Sequence, residues 1–488
     1  MNKPNILWYC SDQQRYDTIH CLGNTQINTP NIDTLVSNGT AFTRAYTQSP
    51  ICTPSRATFL TGRYPATHHV HRNGAEYFPP NEVLISKTFA DLGYDCGLVG
   101  KLHLSRAKDR VELRPDDGYR MFEWSHHPRP DWSEGHDYAR WLVEDKNVDP
   151  AELYRDHRQL AYGAGIPYEY HQTTWCTEKS MEFIREERDG SWFLSVNPFA
   201  PHPPFDPPAD FLKRYNPEEL PYPIFEKSDI EHQRRFKGID QQTENAVDPL
   251  NLPKNESSVT SRGDTASEPP SSYDPRVVKA CYYAMIEHID HEIGRVMEVL
   301  EETGQADNTI IIYTSDHGDL LGDHGLLYKG CRFYEGLVHV PLIISWPERW
   351  RGIKNSEALV ELVDLPPTIL QAVGEKIPEY MQGQSLVPIL NGDQNPHQFK
   401  PHVVSEYYDA VDLPDGTHAT MYFDGRYKSV IYHGHDLGEL YDLEQDPREC
   451  CDLWNDESSA TLKAGIVLKH FDAIMATSGA GIQRTASY

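Results

Sequence analysis

Over the first two thirds of the chain, short apolar runs alternate with stretches whose apolar residues recur at helical spacing. Asn5-Ile6-Leu7-Trp8-Tyr9-Cys10 reads as a buried strand that ends at Asp12. Asp95–Val99, Trp192–Asn197 and Thr309–Thr314 have the same character. Runs without polar alternation belong to strands covered on both faces. Helices are predicted between them, over Pro30–Gly39, from Ser55 through Leu60, over Leu84–Leu92 and over 274–302. The last repeats Val278, Tyr282, Met285, Ile289, Ile293, Val296 and Leu300, and Gly304 supplies a stop. The alternation implies an α/β fold, with a large, mostly parallel sheet flanked by helices.

The pattern changes after about residue 380. Val403–Tyr408, Ala419–Phe423 and Lys428–Tyr432 read as short strands, with turns such as Asp424-Gly425, and a helix fits Ala460–Ala473. The expectation is a large α/β domain over 1–380 and a smaller C-terminal α+β subdomain over 381–488 with a short antiparallel sheet. Residues 240–275 are rich in Asn, Ser, Thr, Asp and Pro and read as a polar surface insertion. No internal repeat is visible.

A chain of 488 residues exceeds what one compact core holds. With 39% hydrophobic and 11% aromatic residues it is globular rather than disordered. The 45 basic and 73 acidic residues leave a formal charge of −28. Such a surface repels nucleic acid and anionic membranes, so neither is expected as a partner. An anionic substrate would need a local pocket of Arg, Lys, His and metal. No apolar run approaches the ~20 residues of a membrane span, and no secretory signal is seen. Nine scattered cysteines without a CxxC pair suit a reducing compartment, and Cys450-Cys451 reads as two ordinary residues. The expected location is cytoplasmic, or periplasmic or secreted where a leader has been removed. Oligomeric state is not predicted.

In open α/β sheets, ligands bind beyond the carboxyl ends of the strands. Four polar clusters fall there: Asp12-Gln13, Lys101-Leu102-His103, His202 and Asp316-His317. Taken singly they read as a helix cap, surface residues, a loop residue and a turn. Together on one rim they mark a site.

The strongest local signal is Cys52-Thr53-Pro54-Ser55-Arg56, continuing to Leu60-Thr61-Gly62-Arg63. Pro followed by Ser-Arg suits a helix N-terminus, whose free N–H groups and dipole favour anions. An Arg there can grip a tetrahedral oxyanion with two hydrogen bonds, and a Cys beside it has a lowered pKa. The bland alternative is a structural Cys before a helix.

This segment resembles the formylglycine signature of the type I sulfatases, within the alkaline-phosphatase superfamily, close to the arylsulfatases and phosphonate monoester hydrolases. The resemblance extends through Asn31–Leu35, Gly100–His103, His288-Ile289-Asp290 with Gly294-Arg295, Ser315–Gly318 and Glu439-Leu440-Tyr441-Asp442. It implies hydrolysis of a sulfate monoester of a carbohydrate or an aryl alcohol. It implies that a separate formylglycine-generating enzyme oxidises Cys52. Asp12, Gln13, Asp316, His317 and the modified Cys52 would hold one divalent cation, and Arg56 would orient the formylglycine diol. Lys101, His103, His202 and Lys329 would surround the sulfate. Asn73 resembles a further substrate-side position of the phosphonate hydrolases. One hydroxyl of the diol would attack sulfur while His202, with Lys329, protonates the leaving oxygen. His103 would then deprotonate the second hydroxyl so that sulfate departs.

The chain departs from the family pattern at two pairs. Many sulfatases carry paired acids where Asp12-Gln13 stands, and Asp-Asn where Asp316-His317 stands. A neutral Gln and a nitrogen donor shift metal preference toward manganese or zinc. The family still points to calcium first. Both pairs occur among phosphonate monoester hydrolases, which makes hydrolysis of phosphonate monoesters or phosphodiesters the second expectation. Gly100-Lys101-Leu102-His103 points back to sulfatases. A third reading, an anion-binding protein without turnover, would hold if Cys52 stays a thiol.

Other residues carry weaker signals. Asp319, Asp323 and His324 are expected to shape the site, and Asp17 and His20 to be structural or solvated. His68, His69 and His71 read as a loop near substrate rather than a metal cluster. Trp124, Trp132 and Trp141 read as core rather than sugar platforms, and Asp364 as a helix start. Loops at about 105–175 and 225–275 are expected to select the alcohol.

Overall fold

The computed structural model describes residues 3–108, 110–128, 134–157, 161–240, 246–252, 273–350, 352, 355–411 and 416–479. Its organising element is the strand Asn5–Ser11, buried along its whole length. Ile6, Trp8 and Cys10 join the apolar layer on one face, with Leu98, Phe193, Ile310 and Ile312. Leu7 and Tyr9 join the layer on the other, with Leu194, Val196, Ile311 and Tyr313. Such two-sided burial is why these strands read as unbroken apolar runs.

From edge to edge the sheet runs Asn355–Ser356, Thr40–Phe42, Leu342–Ser345, Thr309–Ser315, Asn5–Ser11, Trp192–Asn197, Asp95–Gly100, Met121–Trp124. Neighbours are parallel except where Leu342–Ser345 runs against both of its partners. The predicted α/β architecture is therefore the observed one. The long helix Pro275–Glu302 starts where Asp274 accepts from the N–H groups of Arg276 and Val277, and it packs with Gln172–Arg185.

The motif helix begins earlier than the pattern predicts. It spans Cys52–Thr61, and the Ser55 N–H already donates to Ile51 O at 3.1 Å. Pro54 is tolerated because amides of the first turn have no intrahelical acceptor to lose. Cys52 is thus the first helical residue rather than one that precedes the helix. All ten residues of this helix are buried. Gly62, at φ 71°, closes it in a left-handed cap.

The C-terminal part forms an antiparallel sheet in the order Val403–Tyr408, His418–Phe423, Tyr427–Tyr432, Leu437–Asp442. The helix Ala460–Thr477 covers it, with Ile466 and Ala473 against Val404, Tyr422 and Leu440. Leu386, Val387, Ile389 and Leu390 instead pack in the core of the large sheet. A small sheet of Val360–Glu361, Ala45–Tyr46 and His339–Val340 also forms. Its two-residue strands are too short to leave a period in the sequence. Most of the polar stretch 240–275 lies outside the described residues. Among the described residues no helix is long and apolar enough to cross a membrane. All nine cysteines are free.

Candidate active site

Parallel pairing sets Ser11 beside Ser315, so Asp12 and Asp316 leave the sheet as neighbours. Gly100 turns the next strand out at φ 99°, where a Cβ would overlap Asn197 O, and so delivers Lys101 to the same rim. The Cys52 helix is fastened across these strand ends by its own motif residues. Arg56 Nε donates to Asp316 Oδ2 at 2.9 Å and Nη2 to Asp12 Oδ2 at 3.3 Å. Its Nη1 donates to Lys101 O at 2.8 Å and Asn197 Oδ1 at 3.3 Å. Ser55 Oγ donates to Asp316 O at 2.6 Å. Ser55 and Arg56 therefore fix the first turn, and Cys52 with it, against four strands.

Ligand atoms of Asp12, Cys52, Asp316 and His317 lie within 4.8 Å of one another, all buried, the one such group among the described residues. His317 Nδ1 donates to Gly318 O at 2.8 Å, and Nε2 lies 3.1 Å from Cys52 Sγ. That contact fixes the tautomer and aims the second nitrogen at the cluster. Burial pushes His317 down, but Asp316 and Cys52 more than reverse it, drawing positive charge to this nitrogen. A divalent cation answers that pull, and two carboxylates with an imidazole are donors that suit one. Gln13, at φ 70°, donates its N–H to Asp316 Oδ1 at 3.0 Å. Its side chain accepts from Lys329 at 2.9 Å and donates to Asp319 Oδ2 at 2.6 Å.

Two lysines supply charge. Lys329 Nζ is 2.9 Å from Cys52 Sγ, and Lys101 pairs directly with Asp12. Burial raises the Cys52 thiol, yet Lys101 and Lys329 outweigh it and bring it down to about 7. Burial likewise opposes ionisation of Asp12, but Lys101, His202 and Arg56 hold it well below the carboxylate range. Burial, then nearby Lys101, keeps His103 neutral, and burial with Lys329 does the same for His202. At 7% and 9% exposed, these two are more open than Asp12, His317 or Lys101, at 1% or less. They are the least buried of these groups. His202 Nδ1 donates to Pro203 O at 2.7 Å, which leaves Nε2 for a ligand.

The remaining predicted positions fall around this centre. Asn73 Oδ1 accepts from the Thr53 N–H at 3.0 Å, capping the Cys52 helix. Asp323 pairs with Arg15 at 2.8 Å, and His324 bonds Asp229 at 3.1 Å. Asp17 pairs with Arg15, and His20 with Asp33. His68 bonds Thr58, while the His69 and His71 rings lie 6.0 Å apart and form no metal group. Trp124 and Trp141 are core residues; Trp132 lies outside the described residues. Asp364 starts the helix Leu365–Ala372 and pairs with Lys400. Sequence reasoning missed Tyr282, whose hydroxyl donates to Gln13 O at 2.7 Å, and Asn197 and Glu112. Each meets its partner from a distant part of the chain or a loop without period, so no local signal announces it.

The Sulfatase family profile matches residues 4–375, and that of the N-sulphoglucosamine sulphohydrolase C-terminal region matches 322–473. The chain belongs to the sulfatase family. It is therefore a hydrolase of the alkaline-phosphatase superfamily, in a family of sulfuric ester hydrolases. This sulfatase-family chain is 29% identical to an arylsulfatase of Clostridium perfringens, covering 93% of the chain and 91% of that protein. It is 27% identical to an N-acetylglucosamine-6-O-sulfatase of Bacteroides thetaiotaomicron, covering 92% and 82%. The phosphonate monoester hydrolase of Agrobacterium radiobacter superposes with a TM-score of 0.79 at 25% identity, over 97% of the chain and 96% of that structure.

Proposed function

We propose that the protein hydrolyses a sulfate monoester of a carbohydrate or an aryl alcohol, with residue 52 converted to formylglycine beside one divalent cation. The position of Cys52 carries this reading. It opens a buried helix, 2.9 Å from Lys329 Nζ, among Lys101, Asp12, Asp316 and His317. Its Sγ stands in for the oxygen of the modified residue. A plain thiol could displace an alcohol from sulfur but has no second hydroxyl with which to release the product.

Asp12, Asp316 and His317, with residue 52 and Gln13 as a neutral donor, would hold the cation, calcium ahead of manganese or zinc. That cation would lower the pKa of the hydroxyl it meets. Lys101 and Lys329 bind the sulfate oxygens and offset the charge that grows on them. Lys329 would supply the proton for the leaving alcohol oxygen, and His202 would relay it through Nε2, whose lone pair is free because the ring hydrogen sits on Nδ1. His103 takes the proton of the remaining hydroxyl as sulfate departs. Arg56 orients residue 52, and Asn73 borders the substrate side. Maturation requires a separate formylglycine-generating enzyme. The catalytic domain would span 1–380 and the smaller one 381–488, with Leu386, Val387, Ile389 and Leu390 of the latter packing back into the core of the former.

The pairs Asp12-Gln13 and Asp316-His317 support a second reading, a phosphonate monoester or phosphodiester hydrolase with the same nucleophile. Hydrolysis rates on an aryl sulfate and an aryl phosphonate separate the two. Faster sulfate turnover is expected; a large phosphonate excess reverses the assignment. A mass spectrum of the tryptic peptide 45–56 tests the nucleophile. Conversion removes one sulfur and two hydrogens and adds one oxygen, and an unmodified thiol in the native host sinks the mechanism.

A further inference from the structure

The histidines of the site are not oriented alike. His317 and His202 each spend Nδ1 on a neighbouring carbonyl. His103 does not: its Nδ1 is buried and has no hydrogen-bond partner. Its backbone is also unusual, at φ 57°, a left-handed conformation that a residue with a Cβ resists. Something other than a ring hydrogen bond must hold this imidazole.

Glu112 meets that need. Its Oε1 accepts from the N–H of His103 at 2.7 Å, and its Oε2 from those of Leu104 at 2.8 Å and Ser105 at 3.2 Å. Trp124 Nε1 donates to Oε1 at 2.7 Å. Four donors converge on one carboxylate that is 3% exposed. Among the described residues it has no ion-pair partner, and burial raises its pKa more than these hydrogen bonds lower it. A buried, unpaired carboxylate is a costly choice. It is also the side-chain group with two oxygens and no competing N–H, so it can accept on both sides. The His126 ring closes the seat, edge-on to His103 at a centroid distance of 4.5 Å, and the His126 N–H donates to His136 Nε2 at 3.3 Å.

We propose that Glu112 is a positioning residue for His103, fixing the left-handed turn that aims this imidazole at residue 52. The inference rests on the sulfatase reading above, in which His103 accepts the proton of the residue-52 hydroxyl. In that step the O–H pair becomes the C=O of the aldehyde, and sulfate leaves with the pair of the broken C–O bond. Loss of Glu112 should therefore slow the release of sulfate more than the release of the alcohol.

The test pairs a crystal structure with rapid kinetics on Glu112→Gln, whose amide would face the Leu104 and Ser105 donors with an NH₂ group. The expected structure has the 101–105 loop displaced, with Cys52, Arg56 and His202 in place. The expected kinetics are a burst of aryl alcohol equal to the enzyme, then a steady-state rate lowered roughly 100-fold, with KM falling alongside it so that kcat/KM changes little. Trp124→Phe, which removes one donor, should give a smaller fall of the same kind, and it carries the test if Glu112→Gln does not fold. A His103 that keeps its backbone angle and ring position overturns the proposal. So does an equal fall of burst and steady state. If neither wild type nor variant turns over a sulfate ester, the sulfatase reading fails, and the position of His103 still decides the role of Glu112.

Discussion

Lys329 Nζ stands 2.9 Å from Cys52 Sγ, as close to the nucleophile position as to the Gln13 amide it also bonds. In the proposed mechanism this one ammonium would serve both the attacking atom and the oxygens that gain charge. Lys329→Met should lower kcat on an aryl sulfate by roughly 100-fold or more, the scale of losing one preorganised charge donor. In cation-free protein that retains the thiol, the same change should move Cys52 upward from about 7. Thiolate absorbance against pH reads this directly, and an unmoved titration contradicts it.

His202 should matter in proportion to how poor the leaving group is. His202→Gln is expected to cost roughly 100-fold on an alkyl or sugar sulfate and much less on an activated aryl sulfate, which departs without a proton. Rates across a series of phenols of graded acidity check this. A uniform loss would reassign His202 to sulfate binding.

Removing the cation should abolish turnover and lower the melting temperature. Adding calcium back at about 100 times its dissociation constant should return ~2.7 kcal/mol of stability, because the cation binds only the folded cluster. Asp316→Asn should blunt this response, since Asp316 is in the donor group. Thermal melts with and without chelator, and with calcium, manganese and zinc in turn, measure it.

Arg56→Lys should destabilise the fold as well as the site. A lysine cannot reach Asp12, Asp316, Lys101 O and Asn197 together, and Asp12 and Asp316 are fully buried. Disrupting a buried pair of this kind costs about 3–5 kcal/mol. A denaturant midpoint unchanged from wild type would contradict the fastening role.

Glu406 gives a pH signature away from the site. It is buried with Oε1 unpartnered, and burial raises its carboxyl to about 7 from 4.5. The folded state therefore favours the protonated form. Its stabilising effect is complete below 4.5 and is lost as pH rises through about 7. Above that the ionised group costs up to ~3 kcal/mol. Glu406→Gln should raise the melting temperature at about pH 8 and change it little at about pH 4. Equal shifts at both would remove the carboxyl from the account.

The sheet and its rim were legible because buried parallel strands leave apolar runs, and the residue after each run is where a ligand sits. That logic puts Asp12, Lys101 and Asp316 on one rim, where the structure brings them together. The Cys-x-Pro-Ser-Arg segment was legible through its chemistry, although the helix starts at Cys52 rather than Ser55. What stayed hidden is held by contacts between residues far apart in the chain. Tyr282 on Gln13 O is such a contact, and so is Asn197 on Arg56. Glu112 is near His103 in sequence, but it sits in a loop without period, and its geometry depends on a positive φ that no residue type there announces.

Cys52 is 1% exposed at the start of a helix that is buried throughout. This imposes an order in time. An enzyme that oxidises Cys52 would have to reach its Sγ, which the finished fold buries. The Arg56 contacts that close over it come from Asp12, Lys101, Asn197 and Asp316, the last far along the chain. Before the strand that leads to Asp316 has been made and has paired, these contacts are missing and residue 52 would be reachable. The proposed oxidation would then belong to the interval between synthesis of the motif and closure of the sheet, and a chain that folded first would keep its thiol.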